Sequence, residues 1–253
     1  MFIDLLAPNV EFLDGLAHNG MLKAALRLIE KSADVLKRAF KTYPDYRLII
    51  TGHSLGAGVS VLLHLGIQAG KFQDIIPSTI KLKTIALAPP PVYKATEIPQ
   101  HLTKEIIGIV QGNDCVPRLG LTNLDDFFEE AIAIGELDLS ARQIYKLLTK
   151  QSDDEVNACL KAMDEATAHV QTENFQRLIH VGNTYYLPKK DPKMFQVNGG
   201  FIHDSFLLLK NMIWDHLQFN YEKALDKVAL KHICSDKAVD ISIASCSDIS
   251  DSE

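Results

Sequence analysis

The chain has 253 residues, of which 47% are hydrophobic and 23% charged, a balance that excludes a disordered or collagen-like chain. Lys plus Arg number 26 against 32 Asp plus Glu, a formal charge of -6, which offers no basic footprint for nucleic acid and no cationic stripe for phosphates. Cys115, Cys159, Cys234 and Cys246 are scattered without a C-x-x-C pair, so free thiols are expected in place of a disulfide framework or a zinc site.

Met1-Phe2-Ile3-Asp4 lacks the positive start and apolar run of a signal peptide. From Met21 to Phe40 the residues Leu22, Ala25, Ile29, Ala33, Leu36 and Phe40 recur at helical spacing, which predicts an amphipathic helix. Asn19-Gly20 starts it and Tyr43-Pro44-Asp45 ends it. Tyr46 to Thr51 reads as a buried strand, and Leu55 to Gln68 as a helix apolar on nearly every side. No Asp, Glu, Lys or Arg occurs between Leu48 and Gly70, and that length could cross a bilayer. Five glycines, two histidines and the change of pattern at Thr51 favour a strand, a tight turn and a buried helix instead.

Ile80 to Leu87 and Lys104 to Val110 make two further strands. Strand, helix, strand in this order implies a crossover connection and a parallel sheet. Helices are then expected over Asn123 to Ile134, Leu139 to Leu148 and Asp153 to Val170, the last opened by a capping box at Ser152 to Glu155. Short β-like runs at Asn183 to Leu187 and Met194 to Phe201 precede a helix from Tyr221 to His232. Residues 235–253 carry five acidic groups against Lys237 and are expected to be a disordered, dispensable tail after a domain at 1–234.

Gly52-His53-Ser54-Leu55-Gly56 fits G-x-S-x-G between a strand and a helix, the setting in which that motif forms a nucleophile elbow. A serine at the tip of such a turn takes a strained backbone, and close packing of strand on helix is expected to exclude a Cβ at both glycines. The helix N-terminus aims amides at the site, so Leu55 N–H is a candidate oxyanion donor. The competing reading is a glycine-rich turn with a structural serine. Elbow hydrolases follow the chain order Ser, Asp, His. Asp114 comes just after the third strand, at the carboxyl edge that also carries Ser54, although turn and capping aspartates are common there. Two late histidines compete as base, His216 ahead of the last helix and His203 after the run ending at Phe201, with the pattern preferring His216.

The run Tyr43 to Gly58 resembles the core of the class 3 lipases, particularly their intracellular diacylglycerol-lipase-like branch. Ala86-Leu87-Ala88-Pro89-Pro90-Pro91, Asn113 to Arg118, and Asp215-His216 with Tyr221 resemble the segments that follow in that family. The resemblance implies an α/β-hydrolase fold, with a mostly parallel sheet and flanking helices. It further implies a serine ester hydrolase of acylglycerols, with Ser54 as nucleophile, Asp114 as orienting acid and His216 as base. No metal or organic cofactor is implied, and no transmembrane segment or nucleic-acid partner. A cytoplasmic location is implied, with peripheral contact at membranes or lipid droplets.

Asn123 to Asn174 would be a helical insertion, either a lid or an appendage. The family's first strands and a Gly-Thr-Ser-like oxyanion turn should precede Asp4-Leu5-Leu6, so an N-terminally truncated domain from an incomplete gene model is expected, with impaired turnover. The rivals are a phospholipid, soluble-ester or thioester substrate on the same fold, and a truncated domain kept as a binding module.

Overall fold

The computed structural model of the chain describes residues 7–149, 152–168, 177–189, 193–199, 202 and 211–235, with side chains up to 231 at the last helix. Asp4-Leu5-Leu6, His203 and the acidic tail beyond Ser235 lie outside the described residues. Residues 1–120 with 176–253 form one compact unit, and residues 121–175 a second.

The first unit opens with a hairpin, β1 (Asn9–Phe12) and β2 (Gly15–His18), to which β5 (Tyr93–Ala95) adds antiparallel. The long helix α1 (Asn19–Thr42) follows. It is capped by His18, whose Nδ1 accepts from the Met21 amide at 3.3 Å, and it buries Met21, Leu22, Ala25 and Ile29. These are the apolar positions whose spacing predicted the helix.

The central sheet has the order β3 (Leu48–His53), β4 (Leu82–Leu87), β6 (Ile106–Gln111), β7 (Asn183–Leu187), β8 (Phe195–Val197). The first four strands are parallel and β8 is antiparallel. Strand alternation assigns the two faces. Ala86 and Ile106 enter the core built by α1 and by α2 (Leu55–Gln68), while Ile85, Leu87, Ile107 and Ile109 pack with Tyr221 and Val228 of the last helix, α8 (Gln218–Ser235). Helices therefore cover both faces, as a parallel sheet requires. On its outer side β3 pairs with no strand among the described residues, and Ile49 is 52% exposed there.

The uncharged stretch 48–70 is β3 and α2, and among the described residues no helix is long and apolar enough to cross a membrane. Two further short helices belong to this unit, α3 (Gln100–Thr103) and α7 (Met212–Asp215). In parallel strands every carboxyl end lies on one edge. Backbone bonds stitch that edge together: Ser54 N–H to Leu87 O, Ala88 N–H to Ile109 O, and Gly112 N–H to Leu187 O.

The second unit holds α4 (Leu121–Gly135), α5 (Ala141–Leu148) and α6 (Asp154–Thr167), near the predicted bounds. The predicted capping box at Ser152 is displaced: Asp153 is the cap, its Oδ1 accepting from Val156 N–H at 2.9 Å. A complete capping box stands instead at Ser140 and Gln143, opening α5. Lys146 closes the α5–α6 corner through Asp153, at 2.7 Å, and Glu155.

Candidate active site

Ser54 sits between β3 and α2 with φ 60 and ψ -128, a left-handed backbone that a non-glycine residue adopts only where its surroundings enforce it. The enforcement is visible at Gly52, where a Cβ would lie 2.2 Å from the Gly56 carbonyl oxygen. Gly56 differs from expectation, since a Cβ there meets nothing within 4 Å. The two glycines thus serve different ends: the strand residue lets the helix approach, whereas the helix residue stands beside open space. Leu55 opens α2, at a position whose amide has no partner within the helix.

Asp114 follows β6 by three residues and is fully buried. Its carboxylate gathers three donors. Oδ1 accepts from Val116 N–H at 2.9 Å, Oδ2 accepts from the Tyr221 hydroxyl at 2.6 Å, and His216 Nδ1 lies 3.0 and 3.1 Å from the two oxygens. On its other side the His216 ring reaches Ser54 Oγ from Nε2 at 2.9 Å. Ser54, Asp114 and His216 are therefore brought into one chain of hydrogen bonds, although 162 positions separate serine from histidine.

Neighbouring groups fix this arrangement. The His53 ring stacks on that of His216, centroids 4.7 Å apart, and its Nε2–H donates to the His216 carbonyl at 2.9 Å. Burial, and then the His216 ring, pull the His53 imidazole below its ordinary pKa, which favours the neutral donor form. The buried Tyr221 hydroxyl accepts from Gln111 N–H at 3.1 Å while donating to Asp114. Burial and the Asp114 charge raise its pKa well above the usual tyrosine value, so it remains a donor. Asp215 Oδ2 accepts from Asn113 N–H at 2.9 Å and pairs with Lys189 at 2.6 Å, tying the segment that bears His216 to the turn that bears Asp114.

In the sequence Asp215 and Tyr221 stand out only through the resemblance of their segment and His53 only as a member of the G-x-S-x-G motif, none of them with a supporting role. Tyr221 offered one signal, an aromatic hydroxyl five residues after the histidine at the start of an amphipathic helix. The remaining thiol nearby, Cys115, is raised to about 11 by burial and then by the Asp114 charge, which leaves it protonated and a poor rival nucleophile.

A mostly parallel sheet flanked by helices, with a strained serine at the turn from β3 into α2, is the α/β-hydrolase fold. Residues 2–124 match the family model for lipase (class 3). Diacylglycerol lipase-beta of Mus musculus is 28% identical over 125 residues, 49% of this chain and 18% of that protein. Diacylglycerol lipase-alpha of Homo sapiens is 29% identical over 126 residues, 47% of this chain and 11% of that protein. The chain thus spans less than a fifth of the length of these relatives. The solved structure of the triacylglyceride lipase of Rhizomucor miehei superposes with a TM-score of 0.51 at 18% identity, covering 85% of this chain and 64% of that one, a likeness of fold.

Proposed function

We propose that the chain is a serine ester hydrolase acting on acylglycerols, diacylglycerol among them, with Ser54 as nucleophile, His216 as base and Asp114 as orienting carboxylate. The observation that carries this reading is the His216 ring, held between Ser54 Oγ at 2.9 Å and the Asp114 carboxylate at 3.0 Å. A serine hydroxyl is a weak nucleophile until a base within hydrogen-bond reach takes its proton. Ser54 Oγ adds to the ester carbonyl as His216 Nε2 accepts the proton, and the buried Asp114 charge stabilises the imidazolium so formed. The oxyanion draws on the Leu55 amide at the start of α2. His216 then returns the proton to the departing glyceride alkoxide as the tetrahedral intermediate collapses to an acyl-serine. Water, activated by the same ring, cleaves that ester and releases the fatty acid. No step calls for a metal or organic cofactor. Within this proposal residues 121–175 are an insertion in a lipase-like domain.

A fluorophosphonate probe tests the reading. It should label the parent chain at Ser54, leave Ser54→Ala unlabelled and label His216→Ala slowly. Turnover of diacylglycerol should exceed that of phosphatidylcholine and of a short soluble thioester. A chain that folds and leaves the probe unreacted would favour a binding module, and preference for phosphatidylcholine would move the substrate to phospholipids.

A further inference from the structure

The corner that carries His216 also exposes apolar surface. Ile213 and Trp214, in α7, are 68% and 58% exposed, and Phe219, in the first turn of α8, packs edge-on against Trp214 with centroids 5.3 Å apart. Single exposed apolar side chains need no explanation, but a large aliphatic residue and two aromatics clustered at one corner do.

Behind this corner lies a cleft of about 510 Å³, lined by Trp214, Asn220 and Val228 and by the three lysines Lys189, Lys223 and Lys227. The lysines face one lining carboxylate, Asp215, already paired with Lys189. Lys223 and Lys227 are four residues apart, so they share a helix face with Phe219. Lys223 Nζ stands 5.2 Å from the Phe219 ring centroid. Glu222 and Asp226 lie one position before each lysine, on the adjoining face, and Glu222 accepts from Gln218. Within the cleft lining, three lysines therefore stand against one carboxylate, beside exposed aromatics.

Tryptophan and aliphatic side chains partition into the headgroup region of a bilayer, and lysines just behind them gain from anionic lipid. We propose that the α7–α8 corner docks on an anionic phospholipid surface. Ile213 and Trp214 enter the interface, and the Lys223–Lys227 cleft receives an anionic headgroup. This rests on the ester-hydrolase reading in one respect: the docked corner carries His216, so docking brings the site to its lipid substrate.

The chain has one tryptophan, so its fluorescence reports this corner alone. Ser54→Ala protein, which leaves the lipid intact, is titrated with phosphatidylcholine vesicles with and without phosphatidylserine. Phosphatidylserine should shift the emission to the blue, expose it to quenching by brominated acyl chains and tighten binding, by about fivefold for each lysine engaged. Lys223→Ala/Lys227→Ala should weaken that binding about 25-fold, and added salt should do likewise. Ile213→Asp should reduce the blue shift. Ile213, Lys223 and Lys227 are solvent-facing, and circular dichroism verifies that the variants fold. Unchanged emission, equal affinity for the two vesicle types, or full binding by the double lysine variant would each overturn the proposal. Probe labelling of Ser54 in lipid-free solution is read separately. Labelling without docking refutes the lipid surface alone, and docking without labelling refutes the hydrolase alone.

Discussion

Replacing Tyr221 by Phe removes one oxygen atom and leaves the ring in place. That oxygen donates to Asp114 Oδ2 at 2.6 Å and accepts from the Gln111 amide at 3.1 Å, and both contacts are buried. A hydrogen bond to a charged group contributes about 1.5–3 kcal/mol, and a buried amide left without a partner costs about 1–3 kcal/mol. The two partners share one oxygen and relax together, so about 3 kcal/mol of stability should go. In a domain of this size that lowers the Tm by about 6–12 °C. Catalysis should suffer through orientation. Asp114 keeps the Val116 amide and His216, but Oδ2 loses the donor that fixes its plane, and loss of about 1.4 kcal/mol at the transition state is a tenfold fall in kcat. Because burial and the Asp114 charge hold the hydroxyl protonated well above the ordinary tyrosine range, the deficit should stay flat up to alkaline pH. Calorimetric melting and turnover of a soluble ester measure the two effects. A variant that melts within a degree of the parent and turns over at the parent rate would refute the reasoning.

His53→Phe keeps an aromatic ring to stack on His216 but deletes the Nε2–H donor, so kcat should fall about fivefold to tenfold with KM unmoved. His53→Ala, lacking both contacts, should fall further; equal rates for the two variants would show that the stacked ring has no role in positioning, and a parent rate for His53→Phe that the hydrogen bond has none. Gly52→Ala drives a methyl to 2.2 Å from backbone and should destabilise by about 3 kcal/mol, whereas Gly56→Ala, into open space, should be neutral or stabilise by up to about 1 kcal/mol. Denaturant titrations of both variants decide the point. His64 and His180 are buried and desolvated, each with its pKa lowered to about 4. The unfolded chain binds a proton there at about 6.5 while the folded one does not. Stability is therefore full above pH 6.5 and is lost toward pH 4, by about 2 kcal/mol per histidine between pH 7 and pH 5. His64→Leu should flatten that slope by its own share, and a stability independent of pH over this range would contradict the assignment.

How far the sequence reveals this molecule depends on how local each signal is. The helix α1 and the strands β3, β4 and β6 are legible because their apolar residues repeat at the period of the element they build, and α2 because its apolar run is closed off by the motif. The hairpin β1–β2 escapes notice. Its strands are four residues each, and its two-residue turn, Leu13-Asp14, puts a leucine at φ 53, where glycine or asparagine would have signalled a turn. Its partner β5, three residues long, exists through pairing with β2. At the site, Ser54 and Asp114 stand out by motif, chain order and strand position, whereas the pattern leaves His216 and His203 in competition and the segment resemblance selects His216. His53, Tyr221 and Asp215 take their places through contacts made across 102 to 163 positions of chain, which no sequence spacing encodes.

The distance along the chain from Ser54 to His216 bears on when the molecule becomes competent. The turn at Ser54 and the strands beside it close short loops, which cost little chain entropy, and they come early in the sequence. The segment from 211 onward completes the hydrogen-bond chain only by returning to a sheet already in place. A chain still emerging from the ribosome would hold a strained serine and a buried carboxylate before it held a base. In the proposed reaction, hydrolysis begins only when the last helix has docked, so activity reports complete folding, and detachment of α8 alone should silence the enzyme while most of its secondary structure persists.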